Sequence, residues 1–227
     1  MKDSKSKLIP GEDIRIVEEK IHPEVFNDFY NYLEGLENGS VDTSSQDRRY
    51  QLAILVKEGT IESYRKIEMM IKEGSLSKED KDFAVVALNF CRFKFENDLL
   101  DIDVGMVSGG LGGSANKIRY YLAVAAPEVI SNEQFGYIKK CFDIIASSKA
   151  SVLEEAIHHG FYVSLIILGS FEYAIGDIID AGLEECDFLQ KDYYLTNVEI
   201  PTDDRIRDWL DGKLDNEKDE LSCPGMI

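Results

Sequence analysis

The stretch VSGGLGGSANKIRYYLAVAA, Val107 to Ala126, places four glycines in five positions and then runs into alternating aromatic and aliphatic residues. If a helix follows the glycines, the loop delivers its N–H groups to a phosphate at a helix N-terminus. If a strand follows, the loop is the entry to a sheet. Ile118, Tyr120, Leu122 and Val124 recur with period two, the strand rhythm, and Pro127 ends the run. The sheet entry is the expectation.

Downstream, SNEQFGYIKKCFDIIASSK reads as a helix capped by Ser131 or Asn132 that buries Phe135, Ile138, Phe142 and Ile145. SVLEEAIHHGFYVSLIILGS is β-rich over twenty residues with Gly160 near its middle, which fits a hairpin. FEYAIGDIIDAGLEECDFL turns Ile175, Ile178, Ile179 and Leu183 to one face. YYLTNVEI closes the series as a strand, and Thr202 caps a short terminal helix. The order is βαββαβ, so the expected architecture is α+β: a ferredoxin-like antiparallel sheet with helices on one face.

Upstream of Leu100 the apolar spacing is helical. Val25, Phe26, Phe29, Leu33 and Leu36 share one face; Tyr50 and Ile54, then Ile61, Tyr64, Ile67 and Ile71, mark two more helices. Phe83, Val86, Ala87, Phe90 and Phe93 form the stripe of a fourth, opened by Ser77 and Asp80. The sequence therefore divides into a flexible N-terminal segment (1–21), a helical bundle (22–100), a glycine-rich connector (101–117), the α+β domain (118–201), and a short helix with an acidic tail (202–227).

The chain of 227 residues is 44% hydrophobic, enough for packed cores, and carries 43 acidic against 25 basic residues for a formal charge of −18. Such a charge opposes binding to nucleic acid or an anionic membrane, and neither is expected as a partner. The four cysteines form no C-x-x-C pair and read as reduced thiols. The first residues contain lysines but no apolar secretory stretch, so the expected location is the cytoplasm.

Gly109, Gly110, Gly112 and Gly113, with Lys117 and Arg119 beside them, are the candidate ligand site: glycines can turn several N–H groups toward a small anion. Gly110-x-Gly112-x-x-Ala115 matches the dinucleotide fingerprint only in relaxed form, and the alternative role is a plain connector. Glu154, Glu155, His158 and His159 are the candidate metal set; simple alternation pairs Glu154 with His158 and Glu155 with His159. Asp98, Asp101 and Asp103 lie close together but miss the spacing of a calcium loop. No cofactor is implied.

With helices on one side of the sheet, Arg119, Tyr121, Tyr162, Ser164 and Ile166 fall on the other and need a cover. The helical half is the first expectation, then a second copy or a partner. The pattern of an RNA-binding sheet is missing. The expected function is an intracellular, non-catalytic regulatory or adaptor protein acting through protein contacts or self-association. The alternative is a phosphate- or nucleotide-binding protein, an enzyme included, that uses the glycine loop.

Overall fold

The structure is a computed structural model that describes residues 14–39, 47–74, 76–100 and 105–213. Contacts divide the described residues into two compact units: residues 14–20 with 107–213, and the described residues between 21 and 106. The fold is mixed α+β, with an antiparallel sheet confined to the first of these.

The second unit holds α1 (Pro23–Glu37), α2 (Arg48–Glu58), α3 (Ile61–Lys72) and α4 (Lys78–Leu100). The starts of α2, α3 and α4 are set by local acceptors: Asp47 takes the Arg49 N–H at 2.9 Å, Thr60 takes that of Ser63 at 3.1 Å, and Ser77 takes that of Asp80 at 3.1 Å. Gly59, with φ of 60°, stops α2 in the left-handed conformation that favours glycine. Phe29 is the hub of the core, with ring centroids 5.3 Å from Phe83 and 4.8 Å from Phe90. Arg49 closes the bundle by pairing with Asp80 at 3.1 Å and Asp28 at 3.5 Å while its guanidinium lies over Phe83.

The α+β unit begins with β1 (Ile14–Ile16), whose following residue Val17 is buried and donates to the Val107 carbonyl, the last residue of β2 (Gly105–Val107). Residues 14–20, expected within a flexible segment, thus belong to this unit. Then come β3 (Gly113–Ser114), β4 (Lys117–Ala125), α5 (Asn132–Ser148), β5 (Val152–His158), β6 (Tyr162–Ser170), α6 (Ile175–Glu185), β7 (Tyr193–Thr196) and α7 (Asp203–Leu210). β4 is central: β6 pairs along one edge, β3 and β7 along the other, and β5 lies outside β6, all antiparallel. β3 and β4 are joined by Ala115 and Asn116, both left-handed (φ of 48° and 60°), the conformation that a two-residue hairpin requires.

Leu122 and Val124 of β4 and Val163, Leu165 and Ile167 of β6 pack under Ile138, Phe142, Ile178, Ile179 and Leu183 of α5 and α6. Ser131 and Gln134 form the reciprocal cap of α5. The opposite face carries Tyr121, Ala123, Ala125 and Ile166, and here the outcome departs from expectation. Its cover within the unit is α7, which lays Ile206 and Trp209 on these residues. The closing strand is also shorter than expected. It ends at Thr196 because the Asn197 carbonyl turns away to accept the Leu111 N–H at 3.0 Å.

Cys91, Cys141 and Cys186 are free thiols, and burial pushes that of Cys186 up to about 12. Among the described residues no helix is long and apolar enough to cross a membrane. Asp101, Asp103, Cys223 and the acidic tail beyond Lys213 lie outside the described residues.

Candidate functional site

The glycine loop is not a solvated connector. Gly109 to Gly113 are buried, and three of their N–H groups already have acceptors: Leu111 donates to Asn197 O at 3.0 Å, Gly112 to Gly109 O at 2.7 Å, and Gly113 to Glu18 O at 3.2 Å. Glycine is required because other backbone passes too close for a side chain. A methyl at Gly110 would overlap the Val198 carbonyl, and one at Gly112, where φ is 68°, would overlap that of Glu18. Lys117 opens β4, and Arg119 forms a two-pronged ion pair with Glu154 (Nε to Oε2 2.5 Å, Nη2 to Oε1 3.0 Å) while donating to the Leu111 carbonyl at 2.8 Å. That bonding holds the Glu154 carboxyl below its ordinary value.

The four candidate metal ligands do not converge. Register slips between Leu153 and Glu155, where Glu154 forms a bulge, so the simple alternation fails at this point. Glu154 goes to Arg119. His158 stacks on Phe135 of α5, with ring centroids 5.3 Å apart, whereas Glu155 and His159 line a cleft on the face that α7 covers. Among the described residues no group of three or more His, Cys, Asp or Glu side chains is placed to hold a metal.

That cleft brings together residues that the sequence placed on the uncovered face with others it did not connect. It measures about 120 Å³ and is lined by Tyr121 of β4, Glu155, Ile157 and His159 of β5 and its turn, Tyr162, Ser164 and Ile166 of β6, and Ile200, Pro201, Asp203 and Ile206 around the start of α7. Alternation along β4 and β6 puts Tyr121, Ser164 and Ile166 there, and the bulge aims Glu155 at the same side. Thr202, accepting from Arg205 N–H at 3.3 Å, fixes the first turn of α7 and with it Asp203.

Polar groups meet in the cleft. His159 Nε2 lies 2.9 Å from Ser164 Oγ, the Tyr121 phenol lines the same cleft, and the His159 ring stacks on Tyr162 with centroids 4.3 Å apart. Burial pushes the Tyr121 phenol up to about 12. Burial also lowers the His159 pKa, against an opposing pull from Asp203, with His158 adding to the lowering. The net shift favours the uncharged imidazole. Ser164 is 5% exposed, and its hydroxyl is engaged by His159 rather than facing a substrate. Glu155 and Asp203 pair with no cation among the described residues. In this group Glu155 and His159 had a legible signal as site residues, read there as metal ligands; Asp203 could have been found from the Thr202 cap that precedes it.

No protein-family model matches the chain, and no curated protein matches it. Among solved structures, a candidate transposase from Deinococcus radiodurans R1 is similar at 16% identity and a TM-score of 0.38, over 44% of this chain and 94% of that one. A likeness at that level says nothing of activity.

Proposed function

We propose that this is a non-catalytic regulatory or adaptor protein of the cytoplasm that works by binding another protein, with the α+β unit as a ferredoxin-like docking module. The strand order β7-β4-β6-β5, the antiparallel pairing and the two helices on one face support the ferredoxin-like assignment. Architecture of this kind serves many functions, so the functional reading rests on the surface.

The observation that carries it is the outer edge of the sheet. Among the described residues β5 pairs on one side only, with β6, and Val152, Ile157 and Phe161 on this strand and its turn are 45%, 43% and 53% exposed. An open edge with apolar side chains is a surface on which a partner segment can add. The bulge at Glu154 and the adjacent glutamates guard the edge against pairing with itself, and a charge of −18 repels a second copy. A separate protein of basic character fits better than self-association. The phosphate alternative has less support, because the N–H groups of Leu111, Gly112 and Gly113 are directed at carbonyls.

Cross-linking a tagged chain in its host and reconstituting the recovered complex from purified components tests the proposal. A basic protein that re-forms a stoichiometric complex, weakened by Ile157→Lys with Phe161→Ser, is the expected result. A chain that stays monomeric without a partner, and whose melting point rises with phosphorylated metabolites, would favour the ligand reading.

A further inference from the structure

We infer that the cleft between β5, β6 and the start of α7 is a socket for the guanidinium of an arginine side chain presented by a basic polypeptide. This rests on the protein-binding function proposed above and names the contact that would anchor it. Size decides the class of occupant: at about 120 Å³ the cleft is well below the roughly 300–1,000 Å³ of cofactor and small-molecule sites, but it admits one side-chain head group.

The lining decides the chemistry. Glu155 and Asp203 bring two carboxylates with no cation of the described residues paired to either. Tyr121, His159 and Tyr162 supply aromatic surface, and His159, favoured in its uncharged form, does not repel a cation. Guanidinium is planar, weakly hydrated for its charge, stacks on aromatic rings and takes carboxylates in a fork, so it suits this wall better than an ammonium does. Ile157 and Ile200, 43% and 55% exposed, flank the opening with apolar surface that a polypeptide can cover and a free small cation would leave wet. The hydrogen bond between His159 and Ser164 and the stacking of His159 on Tyr162 hold this wall of the cleft in one arrangement before anything binds.

The test is an NMR titration of the full chain with the blocked heptapeptide Gly-Ser-Gly-Arg-Gly-Ser-Gly, with the same peptide carrying citrulline for arginine, and with methylguanidinium. Saturable shifts at the amides of Tyr121, His159 and Ser164 with the arginine peptide are expected, with citrulline weaker by at least about tenfold. The double variant Glu155→Gln with Asp203→Asn, checked for an otherwise unchanged amide spectrum, should erase that preference; Glu155→Gln alone should reduce it if the double variant does not fold. Equal binding of arginine and citrulline peptides, or an unchanged preference in the folded variant, overturns the socket. Methylguanidinium binding as tightly as the peptide does so as well, pointing to a free small cation. If the reconstituted partner complex forms and is indifferent to the double variant, the socket fails while the protein-binding function stands.

Discussion

At Gly110 and Gly112 the chain has no space for a β-carbon, so Gly110→Ala or Gly112→Ala should cost at least about 2 kcal/mol through forced backbone displacement, read from urea midpoints. Three residues on, Ala115 holds φ at 48° in an exposed turn. Replacing it with glycine relieves about 1–2 kcal/mol of left-handed strain, against roughly 0.5–1 kcal/mol of added freedom in the unfolded chain. Ala115→Gly should therefore stabilise by about 0.5–1 kcal/mol, which the same denaturation series would detect. His159 makes a pH prediction. Its folded pKa lies below the ordinary 6.5, so the unfolded chain takes up a proton first and stability falls as pH drops through the unfolded value toward the folded one. The groups facing it are Asp203, Glu155, Tyr121, Tyr162 and His158. Melting temperature followed from about pH 7.5 to 5 should decline less steeply in His159→Gln than in the parent.

Among the elements, the helices were legible because their caps and apolar stripes are local. Ser131 with Gln134, Thr202, and the stripe through Ile178, Ile179 and Leu183 need no distant partner to be read. The bulge at Glu154 was not legible. An extra residue in one strand is defined only against the register of its neighbour, and alternation from Val152 onward wrongly paired Glu154 with His158. The cover of the sheet's second face was likewise hidden, since a short amphipathic helix after Pro201 does not announce which surface it meets. Trp209 is 7% exposed on that face, so Trp209→Ala should destabilise by about 3–5 kcal/mol. The α+β unit should lose native amide dispersion at lower temperature than in the parent, while the helical signal from α1 to α4 persists.

The molecule as a whole has a discontinuous unit: residues 14–20 join residues 107–213. Glu18 ties the two stretches by accepting from Gly113 through its carbonyl at 3.2 Å and from Ala115 through its carboxylate at 3.1 Å. Deleting residues 1–20 should lower the melting point of the α+β unit and speed hydrogen exchange at Gly113 and Ala115, whereas the amides of Phe29 and Phe83 keep their protection; uniform loss across both units would contradict this division. The change of hydrophobic rhythm near residue 110, the acidic excess and the helix ends follow from the amino-acid order alone, because periodicity, charge and capping act within a few residues along the chain. Where the glycine loop's hydrogen bonds go, how Arg119 meets Glu154, and the meeting of Tyr121, His159, Ser164 and Asp203 in one cleft came only with the tertiary structure. Each joins atoms from strands and loops far apart in sequence, and their distances exist only once register and packing are fixed.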